Sequence, residues 1–143
     1  MKTHASQLLS DKGHKVQSVS PETMVYDAIK LMNEVKVGAL LVIEDNKLVG
    51  IISERDYARR VILENRSSKE TPVRDIMTID VLTVTPHHSV EDCMKIMSEH
   101  HIRHLPVIEN GQAIGVISTM DVVKNIISEK ESVIDQLEHY ITG

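Results

Sequence analysis

The chain contains two copies of one sequence unit, and this repeat constrains its fold more than any other feature. Residues 16–62 align with residues 81–127 without a gap, and roughly 17 of about 47 aligned positions are identical. Two copies are too few for an open solenoid, because a solenoid needs about three or more repeats to bury its apolar faces. We therefore expect the copies to pack on each other about a pseudo-twofold axis, each covering the apolar face of the other.

The residue pattern inside each copy predicts the element order β-α-β-β-α, and therefore a mixed α/β (α+β) fold. A short extended segment ends at Ser20-Pro21, because proline restricts the residue before it to extended geometry. Apolar residues at helical spacing follow, and two short apolar runs on either side of the turn 44–47 predict a β-hairpin. A second helix over 56–64, with 121–127 as its counterpart, completes the unit. The resulting division is an N-terminal segment 1–15, repeat 1 at 16–62, a linker at 63–80, repeat 2 at 81–127 and a C-terminal helix at 128–143.

Two segments outside the repeats are also predicted to be helical. Ala5 to Leu9 resembles residues 73–77, which occupy the same place ahead of repeat 2. The tail from Glu129 carries apolar residues on one side, so we expect this stripe to pack on the body of the protein or on a partner subunit. The stripe consists of Val133, Ile134, Leu137 and Ile141.

Charge and composition exclude several classes of function. The net charge of −5 argues against broad nucleic-acid binding, which needs a basic field, and an aromatic content of 2% argues against base-stacking platforms. With one cysteine, Cys93, the chain forms no intramolecular disulfide, which fits a reducing compartment. No run approaches the roughly 18 apolar residues of a membrane span, and residues 1–17 lack the apolar stretch of a signal peptide. We expect a cytoplasmic protein with no membrane or nucleic-acid partner.

The sequence contains no pattern that predicts catalysis or metal binding. Its glycines are isolated, so there is no phosphate-binding Walker loop, and no nucleophile is paired with a base and an orienting group. Five histidines crowd into residues 87–104, but they fall at the ends of different elements and give no regular ligand spacing. We therefore expect no enzyme activity and no metal, and a nucleotide hydrolase is the weakest of the alternatives.

Three motifs occur twice in the same order and carry a resemblance to a known family. SVSP and TVTP precede the first helices, GALLVIEDNKLVGIIS and RHLPVIENGQAIGVIS contain the hairpins, and SERD and STMD lead into the second helices. Each unit resembles the CBS domain, named after cystathionine β-synthase. The tandem pair is similar to the CBS modules of inosine monophosphate dehydrogenase and of the AMP-activated kinase, and the whole resembles a small stand-alone bacterial CBS-pair protein.

The resemblance implies a regulatory protein without chemistry of its own. Two clefts between the repeats would bind adenine-containing ligands, namely AMP, ADP, ATP or NAD, with S-adenosylmethionine as a further option. The resemblance also implies a homodimer formed through helical faces and a signal passed to a separate effector protein. The alternative is a structural or assembly protein whose clefts are unoccupied.

The Ser-x-x-Asp motif that leads into each second helix suits a ribose. A carboxylate can accept hydrogen bonds from two vicinal hydroxyls, which makes Asp56 and Asp121 the candidates. The hydroxyls and nearby backbone N–H groups of Ser53 and Ser118 can meet a phosphate or a ribose. The alternative is purely structural, with the serines capping the helices and the acids stabilising their first turns.

By the same resemblance, each cleft takes its Ser-x-x-Asp from one repeat and its facing strand residues from the other. Cleft A is expected to contain Ser53, Arg55 and Asp56, faced by Leu82, Ile102, Arg103, His104 and Pro106. Cleft B is expected to contain Ser118, Met120 and Asp121, faced by Gln17, Val37, Gly38, Ala39 and Leu40.

The two clefts are expected to differ in charge. Arg55, Arg103 and His104 would give cleft A a cationic cluster suited to a phosphate-rich nucleotide, and the charge of His104 would change near neutral pH. Cleft B would be roomier and less charged, and would take a bulkier adenosine ligand or stay empty. For the two arginines the alternative is a surface salt bridge with a neighbouring acid.

Overall fold

The computed structural model of the chain describes residues 3–13 and 16–142. Within them the fold is mixed α/β (α+β) and follows the duplicated pattern expected from the sequence. Residues 1–2 and 14–15 of the predicted N-terminal segment, and residue 143 of the predicted C-terminal helix, lie outside the described residues.

The first half of the chain forms one three-stranded sheet with its helices. Strand β1 pairs in parallel with β2, which pairs antiparallel with β3 across the hairpin, giving the order β1-β2-β3. This half comprises α1 (Ala5–Lys12), β1 (Ser18–Val19), α2 (Val25–Val35), β2 (Ala39–Glu44), β3 (Lys47–Ser53) and α3 (Glu54–Tyr57).

The second half repeats this arrangement with a reduced first strand. Strands β4 and β5 form an antiparallel hairpin, and an isolated parallel bridge between Val84 and Val107 stands where β1 pairs with β2 in the first half. This half comprises a short 3₁₀ helix (Val73–Asp75), α4 (Val90–His100), β4 (His104–Glu109), β5 (Gln112–Ser118) and α5 (Thr119–Thr142).

The second helix of repeat 1 differs from the predicted span 56–64. It begins at Glu54, because Ser53 caps it with its hydroxyl, and the helix α3 passes into a π-helical segment, Ala58–Ile62. The wider π turn is completed where the N–H of Leu63 donates to the carbonyl oxygen of Ala58 at 3.2 Å.

Helix α5 is continuous from Thr119 to Thr142, although we predicted one helix ending at residue 127 and another from Glu129. No glycine or proline interrupts this stretch, so nothing in the backbone chemistry ends the helix at the repeat boundary. Of the two expectations for its stripe, packing on the body does not occur in this structure, because Ile134 and Leu137 are more than half exposed. Packing on a partner subunit stays a prediction.

Each repeat is covered by the segment that precedes the other repeat. The N–H groups of Ala5 and Ser6 donate to carbonyls of residues 86–88, and Leu8 and Leu9 join the buried core of repeat 2. At the matching positions, the N–H groups of residues 73–74 donate to Pro21 and Thr23, and Val73 and Ile76 join the core of repeat 1. The mutual covering expected from the repeat is therefore achieved in part by exchanged segments.

A glycine in each hairpin allows this exchanged segment to approach closely. A Cβ atom on Gly115 would lie 2.6 Å from Leu9 Cδ2, and one on Gly50 would lie 2.7 Å from Met77 Sδ. Both distances are shorter than a carbon contact allows, so only glycine fits beneath these side chains. The covering segments thereby bring their ends, Lys12 and Thr78, to the Ser-x-x-Asp motifs.

Candidate ligand-binding cleft

Both Ser-x-x-Asp motifs form capping boxes at the junction between a strand and a helix. In repeat 2 the N–H of Ser118 donates to Asp121 Oδ2 at 2.7 Å, and the N–H of Asp121 donates to Ser118 Oγ at 3.2 Å. In repeat 1 the same two bonds join Ser53 and Asp56 at 2.9 and 3.2 Å. The motif therefore has the structural role that the sequence left open, and in both repeats Asp56 and Asp121 are held in one orientation.

The two aspartates differ in the side chain of the covering segment that contacts each carboxylate. Lys12 Nζ lies 2.8 Å from Asp121 Oδ2 and also donates to the carbonyl oxygen of Val116 at 2.8 Å. The corresponding contact in repeat 1 is weaker, because it is the hydroxyl of Thr78 that reaches Asp56 Oδ1, at 3.4 Å. Asp121 thus faces a cation, whereas Asp56 faces a neutral hydroxyl.

An open cavity of about 830 Å³ lies beside Asp121, between the two repeats. Seven of the eight residues expected in cleft B line it, and the eighth, Leu40, is fully buried in the core of repeat 1. The lining seven are Gln17, Val37, Gly38, Ala39, Ser118, Met120 and Asp121.

This cavity is more basic than the sequence led us to expect. Lys12, Lys36 and Lys124 line it, and so do Arg103 and His104, which were assigned to cleft A. His104 reaches this cavity because its imidazole packs across the boundary between the repeats and over Gly38, where His104 Nε2 lies 3.4 Å from the position of a Cβ atom.

His104 is the residue of this cavity whose ionisation the structure perturbs. Burial lowers the pKa of His104 below its ordinary value, and the positive charges of Lys12 and Arg103 lower it further. Asp121 acts in the opposite direction. The cationic form of His104 is therefore disfavoured, and an anionic group placed beside it would favour its protonation.

The other residues expected in cleft A are distributed over several places. Arg55 Nη1 donates to the carbonyl oxygen of His101 at 3.3 Å, and Arg55 lines a smaller groove of about 470 Å³ with Ile102 and Arg103. Leu82 is exposed, whereas Pro106 is buried in β4. Arg103 lines both spaces, because it lies at the start of β4 between them.

Sequence reasoning missed the three lysines of the cavity. The repeat gave no signal for Lys12, because extending the match of residues 5–9 to residues 73–77 pairs Thr78 with Ser10 and Lys12 with Asp80. Lys36 follows α2 with φ of 58°, and Lys124 lies in the second turn of α5. Neither of these two belongs to a duplicated motif, so the repeat alone does not identify them.

Cys93 and the histidines do not contribute to this cavity as metal ligands. Burial raises the pKa of the Cys93 thiol to about 11, so it is held as a neutral core group. Among the residues that the structure describes, no group of three histidine, cysteine or acidic side chains is placed to hold a metal ion. In the same part of the chain, no helix is both long and apolar enough to span a bilayer.

Comparison with known proteins agrees with this duplicated architecture. The family model described as the CBS domain matches twice, at residues 9–63 and 73–128. The mitochondrial CBS domain-containing protein CBSX3 of Arabidopsis thaliana is 40% identical over 150 residues, covering 99% of this chain and 73% of that protein.

Solved structures agree as well. A protein with CBS domains from Burkholderia ambifaria, described as a signal-transduction protein, is 48% identical with a TM-score of 0.85, covering 88% of this chain and 95% of that one. A CBS domain pair in complex with 5′-methylthioadenosine and S-adenosyl-L-methionine has a TM-score of 0.81 at 21% identity, covering 90% of this chain and 99% of that one, and shows the shared fold. The two family matches, the full-length relative and the repeated β-α-β-β-α structure establish that this chain belongs to the CBS-domain family as a tandem CBS pair.

Proposed function

We propose that this protein is a regulatory module that binds an adenine nucleotide in the cavity beside Asp121 and passes the signal to a separate effector protein. The observation that carries the proposal is the composition of this cavity, in which a carboxylate held by Ser118 lies among the cations Lys12, Lys36, Arg103 and Lys124. A carboxylate for ribose hydroxyls next to cations for phosphates is the chemistry that a nucleotide requires.

The roles of the individual groups follow from their positions. The carboxylate of Asp121 would accept the ribose hydroxyls, with Lys12 moving from Asp121 to a phosphate as the ligand enters. The backbone of Val37, Gly38 and Ala39 would border the adenine ring from repeat 1. Because these groups come from both repeats, a bound ligand stabilises the arrangement of repeats in which it makes both sets of contacts.

The ligand class is AMP, ADP, ATP or NAD, with S-adenosylmethionine as a cationic competitor. The basic cavity favours the ligands that carry phosphates over S-adenosylmethionine, whose sulfonium is positive. Cleft A, beside Asp56, would be a second site with a lower affinity for the nucleotide. We also place the protein in the cytoplasm, without catalysis of its own, and as a homodimer formed through helical faces.

Calorimetric titration with AMP, ADP, ATP, NAD and S-adenosylmethionine tests the proposal. The matched variants are Asp121→Asn and Asp56→Asn, because asparagine preserves size and its amide oxygen can still accept the serine N–H of the capping box. Loss of a charge-assisted contact costs about 1.5–3 kcal/mol, which corresponds to a roughly 10–150-fold loss of affinity. We expect this loss in Asp121→Asn, with the tight site retained in Asp56→Asn.

Two results would overturn the proposal. If none of the five ligands binds the wild-type protein, the alternative of an assembly protein with unoccupied clefts is favoured, and the exposed apolar stripe of α5 is the observation that supports it. If Asp56→Asn abolishes binding while Asp121→Asn does not, the nucleotide site is cleft A rather than the cavity beside Asp121.

A further inference from the structure

Helix α5 extends beyond the second CBS repeat and presents a heptad pattern to solvent. Residues at alternating spacings of three and four form a single stripe, and all its apolar members are at least 40% exposed. This spacing corresponds to the a and d positions of a coiled coil sustained over about three heptads. The stripe consists of Met120, Val123, Ile127, Lys130, Ile134, Leu137 and Ile141, of which Met120 and Val123 also line the cavity beside Asp121.

The position that flanks the stripe on one side is also apolar. Val133 and Tyr140 occupy the g positions of these heptads and are 53% and 85% exposed. The e positions on the other side carry Lys124 and Glu131. A stripe made of a, d and g residues leaves a wide apolar surface of α5 in contact with water. A second helix with the same pattern would bury this surface.

We propose that α5 pairs with α5 of a second copy of this chain as an antiparallel coiled coil centred near Ser132. This inference deepens the homodimer part of the proposed function by naming its interface, and it does not depend on nucleotide binding. The second copy is the fitting occupant because the heptad pattern is complementary to itself.

Lys130 decides the orientation. In a parallel pair Lys130 would face Lys130 of the partner subunit in the same d layer, which would place two ammonium groups together in an apolar seam. In the antiparallel pair the layers join a to d positions, so Lys130 lies opposite Ile134 of the partner subunit and next to Glu131 of the partner subunit. The same register puts Ile127 opposite Leu137 of the partner subunit.

Sedimentation equilibrium on the full chain measures the interface. The variant Ile134→Lys places an ammonium group opposite Lys130 of the partner subunit in the seam, and Ser132→Lys places the same charge on the outer f position two residues away as the matched control. We expect the wild-type protein and Ser132→Lys to share one assembled mass and Ile134→Lys to have half of it. Both residues are exposed, so circular dichroism is expected to show all three proteins folded.

The orientation is tested by cysteine cross-linking under oxidising conditions. We expect the double variant Ile127→Cys/Leu137→Cys to form covalent dimers through a bond between residues 127 and 137, located by peptide mass analysis. Neither single variant is expected to cross-link. In the antiparallel register, residue 127 is far from residue 127 of the second copy, and residue 137 is far from residue 137 of the second copy. Bonds between two residues 127, or between two residues 137, would show a parallel pair and overturn the register.

A monomeric wild-type protein, or an unchanged mass in Ile134→Lys, would overturn the interface itself. Nucleotide titration of Ile134→Lys keeps this failure separate from failure of the proposed function. If the monomeric variant still binds the nucleotide, the cavity beside Asp121 binds its ligand without the coiled coil. If the wild-type protein assembles through α5 but binds no nucleotide, the proposed interface is supported and the proposed function is wrong.

Discussion

The ammonium group of Lys12 lies 2.8 Å from the carboxylate of Asp121, although 109 positions separate the two residues in the sequence. Lys12 is the last residue of α1, and Asp121 lies in the first turn of α5. Because α1 also covers the core of repeat 2, the contact connects the packing of the N-terminal helix to the cavity between the repeats.

Replacing Lys12 with methionine is expected to weaken binding of ATP more than binding of adenosine. The methionine keeps much of the side-chain length but cannot attract phosphates, whereas adenosine has none to attract. We expect a roughly 10-fold loss for ATP, of the size of one charge-assisted contact. Calorimetric titration of both ligands measures the difference.

The same variant is expected to change the stability of the protein little. The Lys12 side chain is 36% exposed, and pairs of this kind contribute about 0–1 kcal/mol to folding. Lys95→Met, at an exposed position of α4, is the control. Equal losses of affinity for ATP and for adenosine in Lys12→Met would contradict a phosphate contact.

The pH dependence of stability is expected to report the burial of His104. Its pKa is lowered in the folded protein, so the unfolded chain takes up a proton at higher pH than the folded chain. The stability associated with neutral His104 is present above the unfolded pKa of about 6.5 and is lost as the pH falls through the lower folded pKa. Urea unfolding at pH 7.5 and pH 5.5 is the measurement.

The variant His104→Gln removes this titration. We expect the wild-type protein to lose more of its free energy of unfolding than the variant between the two pH values. Identical losses in the two proteins would show that His104 does not govern the response.

Alanine at Gly50 or Gly115 is expected to destabilise the fold by about 1–3 kcal/mol through overpacking. The added methyl group would meet Thr78 O at 2.9 Å in one case and Leu9 Cδ2 at 2.6 Å in the other. Gly38→Ala is the matched control, because its methyl group would lie no closer than 3.4 Å to His104. Chemical denaturation gives the three free energies, and equal values for all of them would refute this account of the covering segments.

Ser118→Ala is expected to affect both stability and ligand affinity. Loss of a capping hydroxyl costs about 0.5–2 kcal/mol of folding free energy. Ser89→Ala is the comparison, because Ser89 caps α4 with the same capping box but does not line the cavity. We expect thermal unfolding to show similar losses and titration to show weaker nucleotide binding only in Ser118→Ala. Unchanged nucleotide affinity in Ser118→Ala would show that Ser118 acts only as a helix cap.

Local patterns made the elements of each repeat predictable. The apolar runs around residues 44–47 formed the expected hairpin, and Ser53 and Ser118 formed the helix caps that were one of the two interpretations of their motif, since both signals act within a few residues. The continuity of α5 was missed, although no residue between Thr119 and Thr142 stops a helix. The predicted stop came from the repeat boundary, which has no effect on backbone hydrogen bonding.

The candidate site was predictable only in the part that the repeat carries. The Ser-x-x-Asp motif and the facing residues 37–39 meet at the cavity as expected for cleft B. The side to which Arg103 and His104 turn was not predictable, because it depends on how the two repeats pack, with His104 lying over Gly38 of the other repeat. A sequence signal for that choice would have to link residues that lie far apart in the chain.

The sequence by itself determined the duplicated β-α-β-β-α units, the helix caps at Ser53 and Ser118 and the acids beside them. These features depend on hydrophobic periodicity and on hydrogen bonds between residues three apart, which the chain encodes locally. Only the tertiary structure decided that α1 covers repeat 2, that Lys12 reaches Asp121 and that the cavity is basic. The physical reason is that Leu9 packs against Gly115 from a distant part of the chain, and this contact forms only when repeat 2 has folded and placed Gly115 beneath α1.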